Sequence, residues 1–227
     1  MLSGILESGS PESQAVVVPD GPTISYRTLV DDVERVAGLL SAAGAMPGTP
    51  VSIVLGNTLE YLVTFLAVTR AGCIAAPLNP AYTTEEFRFY MEDCGSRLAV
   101  LSPDAGAARN AADGLGIPVL EATSTPDGAV RVARGGTDLA ASRDPVAPSS
   151  DDVALFLHTS GTTSRPKGVP LTHGNLLASL KNIRGTYRLT PDDVSMIVMP
   201  LFHVHGLLGA ALSTLSSGGT VVVPSRF

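Results

Sequence analysis

Cysteine is scarce in this 227-residue chain, which carries only Cys73 and Cys94. Their separation matches no metal-binding or redox spacing, so the pair predicts two reduced thiols in the core of a cytosolic protein. A secretory leader is not indicated either, because the N-terminal stretch has no basic segment and reaches Glu7 too early. Together these absences predict a cytoplasmic protein.

Long uninterrupted apolar runs are also missing. The longest, residues 196–215, is broken by Pro200, His203, His205 and two glycines, so it predicts a buried strand, a turn and a helix rather than a membrane span. Basic residues are few: 15 Lys and Arg stand against 21 Asp and Glu, giving a net charge of −6, which argues against nucleic acid as the main partner. The 44% hydrophobic content is typical of a globular protein with a substantial core.

Short apolar strands alternate with helices through residues 1–101. A hairpin is predicted at Asp20-Gly21. The predicted strands are 51–55, 74–78 and 98–101, and the predicted helices are 28–43, 57–71 with Asn57 as its cap, and one that opens at Thr83 or Thr84. This alternation predicts an α/β fold with doubly wound, mostly parallel sheets and helices on both faces.

The remaining chain divides into two further segments. Residues 102–152 are rich in Ala, Gly, Pro, Ser and Asp, and only 117–120 has the pattern of a strand, which favours a variable surface connection. Residues 153–227 contain predicted strands at 153–157, 195–199 and 220–223, and a predicted helix at 175–188. We therefore expect one large α/β domain in three parts.

The stretch "HTSGTTSRPKGVPLTHGN" at residues 158–175 concentrates hydroxyls and two cations around one glycine. Hydroxyls donate hydrogen bonds, glycine permits close approach of the backbone, and a lysine adds a mobile charge. With a predicted strand before it and a predicted helix after it, the stretch is a candidate phosphate-binding loop. The alternative is a Ser/Thr-rich surface turn that only connects two elements.

A Walker A loop is a near match that fails. Gly161 and Lys167 have its spacing, but Pro166 replaces the second glycine and removes a backbone N–H. Gly168 replaces the Ser or Thr whose hydroxyl binds magnesium. The sequence therefore argues against a P-loop NTPase.

Four motifs in order resemble those of the adenylate-forming (AMP-binding) enzymes, which comprise acyl-CoA synthetases, luciferases and peptide-synthetase adenylation domains. They are Ile24-Ser25-Tyr26-Arg27-Thr28-Leu29, then Ala71-Gly72 with Pro77-Leu78-Asn79-Pro80, then Thr159-Ser160-Gly161-Thr162-Thr163 with Pro166-Lys167-Gly168, and Pro200-Leu201-Phe202-His203. Ser164-Arg165 stands where the family usually has glycine and a variable residue. That pair, with "PLFHVHGLL" downstream, is most similar to the oxalate–CoA ligase branch, the peroxisomal-CoA-synthetase-like proteins of yeast and plants. The likeness covers the chain except for 102–152.

The resemblance implies an acid–thiol ligase whose substrates are a carboxylate, ATP and coenzyme A, with Mg²⁺. A carboxylate attacks the α-phosphate of ATP, and the thiol of coenzyme A then displaces AMP from the acyl-adenylate. It also implies that Thr159, Ser160, Gly161, Thr162, Thr163 and Ser164 bind the ATP phosphates, while Lys167 follows the departing pyrophosphate. Arg165 is either a second cation or an exposed side chain on a surface loop.

The histidines carry weaker signals. On a strand, His203 and His205 would face one side and begin a metal site, but no third ligand is close in sequence, so no metal site is predicted. The resemblance places Phe202 and His203 near the acyl and adenylate pocket, where an imidazole donates to a carboxylate oxygen. His205 is interpreted as a packed residue behind that wall, and His158 and His173 as local hydrogen-bonding residues.

Several motifs of the family are missing from the 227 residues. The Tyr-Gly-x-Thr-Glu motif with its Mg²⁺-binding glutamate, the Thr-Gly-Asp motif with its ribose-binding aspartate, and the C-terminal lid with its lysine are all absent. The chain is therefore expected to be the N-terminal part of a ligase, with the rest of its own fold as its partner. The rival hypothesis is a catalytically silent piece that binds phosphate weakly or complements a split protein. Should the parent be eukaryotic, a peroxisomal location replaces the cytoplasmic one.

Overall fold

The computed structural model describes residues 2–140, 147–159 and 166–224. In that part of the chain twelve strands occur, in order β1 (Gln14–Val17), β2 (Thr23–Ser25), β3 (Pro50–Val54), β4 (Ile74–Pro77), β5 (Leu98–Leu101), β6 (Val119–Ser124), β7 (Val130–Arg134), β8 (Thr137–Asp138), β9 (Val153–Thr159), β10 (Lys167–Thr172), β11 (Val194–Met196) and β12 (Thr220–Val222). The α-helices are α1 (Tyr26–Ala42), α2 (Leu59–Arg70), α3 (Thr84–Asp93), α4 (Gly106–Gly114), α5 (His173–Tyr187) and α6 (Ser213–Leu215). A 3₁₀ helix (Leu2–Ser8) and a π-helix (His205–Leu212) complete the set.

The larger sheet has eight strands in the order β10-β9-β4-β3-β5-β6-β7-β8. Its five central strands pair in parallel, and the outer strands β10, β7 and β8 pair antiparallel. The successive strands β4 and β5 lie on opposite sides of β3, so the strand order reverses there. At such a reversal a crevice opens at the carboxyl ends of the strands, where open α/β sheets bind ligands.

Helices cover both faces of this sheet, as the alternating sequence predicts. On β3, Val51 and Ile53 join the core cluster that contains the buried residues of α1 and α2. Val54, with opposite parity, joins a second cluster with Phe87 of α3 and Ala108 of α4. The two-residue period of a strand therefore separates the two cores.

The smaller sheet joins the two ends of the chain in the order β11-β12-β1-β2. Strands β1 and β2 form the predicted hairpin, in which Asp20 adopts a positive φ of 58°. Strand β12 pairs in parallel with β1. The buried hydroxyl of Tyr26 donates to the carbonyl oxygens of Leu215 at 3.1 Å and Gly219 at 2.7 Å, which ties the start of α1 to the last elements.

The cap of α2 differs from the prediction. Asn57 was the predicted cap, but the helix begins one residue later and Thr58 is its N-cap, with the Thr58 side chain accepting a hydrogen bond from the Tyr61 N–H. A threonine hydroxyl satisfies this donor as an asparagine amide would. The Asn57 side chain is therefore free for contacts elsewhere.

Residues 102–152 contain more regular structure than the single predicted strand. They supply α4 and the strands β6, β7 and β8, which extend the larger sheet; residues 141–146 lie outside the described part. In α4 the buried positions are the alanines Ala108, Ala111 and Ala112, whose small side chains form no pattern of large apolar residues in the sequence. Alanine has the highest helix propensity, so an alanine-rich stretch folds as a short helix where it can pack. The division into three segments stays a prediction.

Three further expectations concern the apolar parts of the chain. Cys73 and Cys94 are both buried and unpaired, as expected for core thiols, and burial raises the pKa of the Cys73 thiol to about 11. No helix among the described residues is long and apolar enough to cross a membrane. The run 196–215 folds as the end of a strand, a turn and helical segments, in agreement with its predicted interruption.

Candidate functional site

The residues that flank the centre of the hydroxyl-rich stretch lie on a hairpin. Strand β9 ends at Thr159 and β10 begins at Lys167, and the two residues face each other across the antiparallel ladder. Ser160, Gly161, Thr162, Thr163, Ser164 and Arg165 lie outside the described residues. Because β9 is parallel to β4, Thr159 and its partner Lys167 lie at the carboxyl edge of the larger sheet.

The helix that follows is not adjacent to this loop, which corrects the expected strand–loop–helix arrangement. The six residues of β10 intervene, and α5 begins at His173 with a capping box formed by Thr172 and Asn175. At about 3.4 Å per residue, β10 separates the loop from the start of α5 by about 20 Å. Pro170 lies on β10, an edge strand, where the lack of an N–H is tolerated. The positive end of the α5 dipole therefore does not reach the loop.

Thr159 and Lys167, the last paired residue of β9 and the first of β10, form the neck of the hairpin and present polar groups to solvent. Thr159 and Lys167 are both exposed, and the Thr159 hydroxyl donates to the Lys167 carbonyl oxygen at 3.5 Å. No ion-pair partner for Lys167 occurs among the residues that the structure describes. Gly168 lies over the Phe156 ring, and a Cβ at this glycine would be 2.3 Å from the Phe156 Cζ atom.

His158 anchors the neck to α3. Its Nε2 atom is 2.9 Å from Asp93 Oδ2, and only 7% of the His158 side chain is exposed. The imidazole also packs edge-on against Tyr90 and Phe156, with ring centroids 4.7 and 5.3 Å away. The expected hydrogen-bonding role is therefore met by a residue 65 positions away rather than by a local partner.

His173 is buried at the far end of β10. Its Nδ1 atom accepts a hydrogen bond from the Leu2 N–H at 3.2 Å, whereas its Nε2 atom is buried without a partner among the described residues. Burial lowers the pKa of this imidazole, and the positive chain terminus lowers it further. His173 is therefore a neutral residue that joins the start of α5 to the N-terminal 3₁₀ helix.

The fourth motif, Pro200-Leu201-Phe202-His203, forms a turn that leads into the π-helix. We call residues 199–206 the clamped turn. The Asn57 Nδ2 atom donates to the Met199 carbonyl oxygen at 3.0 Å, and the Asn57 Oδ1 atom accepts from the Leu201 N–H at 2.8 Å. The Tyr61 hydroxyl donates to the Leu201 carbonyl oxygen at 2.7 Å. Both clamping residues follow β3, so the turn is held at the carboxyl end of that strand.

The clamped turn carries Phe202 and His203. Phe202 is half-buried against the main core, and His203 is exposed. The His203 Nδ1 atom accepts a hydrogen bond from the His205 N–H at 3.3 Å, so in the neutral ring the proton is on Nε2. The Nε2 atom of His203 is therefore a hydrogen-bond donor.

The interpretation of His205 as a packed residue is wrong. This residue opens the π-helix and is exposed, because the chain turns at 200–203 and does not continue as a strand. His203 and His205 consequently do not alternate on one strand face. Across the described ranges, no group of three or more His, Cys, Asp or Glu side chains is arranged to hold a metal ion.

The fold brings the two predicted motifs to the same edge of the sheet. Thr159 lies at the carboxyl end of β9, and Asn57 follows the carboxyl end of β3. One strand, β4, lies between β9 and β3, so these two strand ends are about 10 Å apart. The sequence pattern does not indicate the positioning contacts of Asn57, Tyr61 and Asp93, because their partners are 65 or more residues away. The Asn-Thr pair before α2 was the available signal: two cap-forming residues stand where one suffices.

Comparisons with known proteins agree with this architecture. A family model described as "AMP-binding enzyme" matches residues 7–227. An oxalate–CoA ligase of Arabidopsis thaliana is 46% identical, with 99% of this chain and 45% of that protein covered. An oxalate–CoA ligase of Saccharomyces cerevisiae is 38% identical, with 95% and 46% covered. The crystal structure of ATP-bound MatB from Rhodopseudomonas palustris superposes with a TM-score of 0.85 at 33% identity, covering 100% of this chain and 45% of that one.

The chain spans slightly less than half the length of these relatives. The family match spans 221 of the 227 residues, and this range includes the larger sheet and the hairpin at its carboxyl edge. The chain belongs to the family of AMP-binding enzymes.

Proposed function

We propose that the whole protein is an ATP-dependent carboxylate–CoA ligase and that its carboxylate is oxalate. The observation that carries the proposal is the hairpin, which holds the exposed Thr159 and Lys167, on either side of the hydroxyl-rich segment, at the carboxyl edge of the sheet. The 46% identity to an oxalate–CoA ligase supports the choice of substrate.

The proposed first step joins the carboxylate to AMP. A carboxylate oxygen attacks the α-phosphorus of ATP, the bond to the β-phosphate oxygen breaks, and pyrophosphate leaves. In the second step the coenzyme A sulfur attacks the acyl carbon, and AMP leaves as the thioester forms. Negative charge spreads over the phosphate oxygens in the first step, so positioning and neutralisation are the main catalytic tasks.

The hairpin residues suit these tasks by their chemistry. Hydroxyls of Thr159, Ser160, Thr162, Thr163 and Ser164 donate to the phosphates in the proposal, and Gly161 permits close approach of the backbone. Lys167 neutralises the pyrophosphate as it leaves. The donor set is hydroxyls and a cation, which fits a polyanion; it offers no carboxylate for Mg²⁺, whose ligand the family resemblance assigns to a motif outside these 227 residues.

The clamped turn takes the carboxylate side of the reaction. The His203 Nε2 atom, protonated in the neutral ring, is proposed to donate to an oxygen of the carboxylate or the adenylate, with Phe202 beside it. This role uses a hydrogen-bond donor and requires no change of protonation. The cytoplasmic location, with the peroxisome as the alternative, stays a prediction.

The small number of lysines allows a matched test of whether Lys167 acts on the ATP phosphates. The chain has two lysines, Lys167 on the hairpin and Lys181 on the exposed side of α5. In the whole protein, Lys167→Ala is expected to slow oxalate-dependent pyrophosphate release by about a hundredfold, because a charge at the departing group acts in the transition state. The KM for oxalate should change little, and Lys181→Ala should leave both quantities unchanged.

Two outcomes would contradict the proposal. Pyrophosphate release with ATP and Mg²⁺ that is equal for Lys167→Ala and the unaltered protein would remove Lys167 from the mechanism. Release that is faster with malonate or acetate than with oxalate would replace the proposed substrate while leaving the ligase in place.

A second proposal concerns the 227-residue chain by itself, which we propose to be catalytically silent. The edge strand β11 supports it, since Val194 and Met196 are 65% and 54% exposed, an apolar surface of the kind that further structure covers. The same pyrophosphate assay on the chain alone is expected to show no turnover. Measurable turnover would demonstrate that the chain suffices for adenylation.

A further inference from the structure

We propose that Asn57 is a positioning residue for the carboxylate side of the reaction, and that Tyr61 supports it. The two side chains set the clamped turn and thereby the ring of His203. The catalytic consequence rests on the proposed ligase function, whereas the positioning itself is a property of the chain.

The Asn57 amide acts as a substitute peptide group. It donates to the Met199 carbonyl oxygen at 3.0 Å and accepts from the Leu201 N–H at 2.8 Å. The residue between them is Pro200, which has no N–H and whose φ is fixed by its ring. One side chain therefore satisfies the backbone on both sides of a rigid residue and fixes where the turn begins.

Tyr61 completes the grip one helical turn later. Its hydroxyl donates to the Leu201 carbonyl oxygen at 2.7 Å, so Tyr61 of α2 and Asn57, two residues before the helix, together engage both backbone groups of Leu201. Tyr61 is fully buried, and burial raises the pKa of its hydroxyl well above the ordinary value. The phenol therefore remains a donor at all physiological pH values.

The grip extends to His203 through the backbone. The His203 N–H donates to the Pro200 carbonyl oxygen at 3.1 Å, and the His205 N–H donates to the His203 Nδ1 atom at 3.3 Å. Gly206 allows the π-helix to come this close, since a Cβ there would be 2.3 Å from the Pro200 oxygen. The position of the turn thus determines the orientation of the ring and which of its nitrogens carries the proton.

Helix capping does not account for Asn57. Thr58 caps α2, as its side chain accepts from the Tyr61 N–H at 3.3 Å. Thr58→Ala removes a side-chain hydrogen bond of the same helix end and leaves the Asn57 contacts in place. It is therefore the matched control for any effect that comes only from a weaker helix start.

The kinetic test uses Asn57→Asp in the whole protein. Aspartate has the same shape and still accepts from the Leu201 N–H, but its second oxygen replaces the donor to Met199. We expect the KM for oxalate to rise about tenfold, as for loss of one well-placed hydrogen bond, and the KM for ATP to change less than about twofold. Tyr61→Phe, which removes only the hydroxyl, should show the same pattern to a smaller extent and covers the case of an Asn57→Asp protein that fails to fold.

A second measurement is independent of activity. In ¹⁵N-histidine NMR spectra of the same proteins, His203, assigned through His203→Gln, is expected to give the Nε2-protonated signature in the unaltered protein and in Thr58→Ala. Asn57→Asp should give a mixture of the two neutral tautomers, because the turn no longer holds the His205 N–H against Nδ1.

The outcomes separate this inference from the ligase proposal. An unchanged His203 tautomer in Asn57→Asp, or a rise in the KM for oxalate that is equal in Thr58→Ala, would overturn the positioning role. Absence of carboxylate-dependent pyrophosphate release in the unaltered protein would overturn the ligase proposal, while the tautomer measurement would still decide the role of Asn57.

Discussion

The hairpin and the clamped turn are positioned by different means. The hairpin consists of β9, its loop and β10, and its register is set by pairing between neighbouring segments of the chain. The clamped turn is placed by Asn57 and Tyr61, about 140 residues earlier in the sequence. The residues that we propose to contact a ligand are therefore contiguous and recognisable in the sequence, whereas the residues that position the clamped turn are distant and leave little local signal.

The largest effect is expected where the clamped turn meets the π-helix. In Gly206→Ala the new Cβ would be 2.3 Å from the Pro200 oxygen and 2.6 Å from the Met199 oxygen, both of them backbone atoms. Because neither can rotate away, we expect a loss of about 3 kcal/mol in the free energy of unfolding, measured by urea denaturation. A loss of this size would show that the backbone of the clamped turn cannot move to accommodate one added methyl group.

Gly209→Ala is the control for the same helix. Its Cβ would come only to 3.6 Å from the His205 Cδ2 atom, an ordinary contact, and alanine favours helical backbone. Its stability should be unchanged or slightly higher. Equal losses in the two variants would show that the π-helix, rather than the close approach to the turn, is sensitive.

The sequence predicted the parts of the fold that rest on local patterns. Strands β3, β4 and β5 are apolar apart from the buried Ser52 of β3, because parallel strands are covered on both faces, and the hairpin at Asp20-Gly21 has an explicit turn signal. The predicted helix 28–43 corresponds to α1, which Ser25 caps and which ends before Gly44, with its φ of 98°. Each of these signals lies within a few residues of the structure that it specifies.

The remainder depended on contacts that no local pattern encodes. Strand β10 was missed because Pro170 argues against a strand unless the strand is known to be an edge. Helix α4 packs through alanines, and a cap could be assigned to Asn57 as well as to Thr58. At the site, the hydroxyls and Lys167 were recognisable by their chemistry, while the Asp93 partner of His158 became visible only in the folded chain.

The hairpin should respond more gently to the same kind of substitution. In Gly168→Ala the new Cβ would be 2.3 Å from the Phe156 Cζ atom, but this atom belongs to a half-buried side chain that can rotate. We expect a loss of about 1 kcal/mol in the free energy of unfolding. Adding Phe156→Leu should cancel most of that loss in a double-mutant cycle.

A loss in Gly168→Ala as large as that in Gly206→Ala would mean that the hairpin is held as rigidly as the clamped turn. Additive effects of Gly168→Ala and Phe156→Leu would likewise contradict the contact between Cβ and ring. Both outcomes can be obtained from the same denaturation curves.

The smallest effect that we expect is a pH dependence confined to the hairpin side. His173, at the junction of β10 and α5, has a lowered pKa because it is buried, whereas His203 and His205 of the clamped turn are exposed. The unfolded chain therefore binds a proton more readily than the folded one. The neutral imidazole stabilises the fold fully above its ordinary pKa of about 6.5, and this stabilisation is lost as the pH falls below that value.

A charged His173 would also stand at the start of α5, where the helix dipole disfavours a cation. Between pH 7.5 and 5.5 we therefore expect a decrease in Tm that is smaller in His173→Gln than in the unaltered chain, while His205→Gln keeps the full decrease. Amide hydrogen exchange should locate the acid-induced loosening at β10 and the first turn of α5. If the exchange instead begins in the clamped turn, that turn, and not the junction of β10 and α5, is the acid-sensitive part of the chain and the less stable of the two regions.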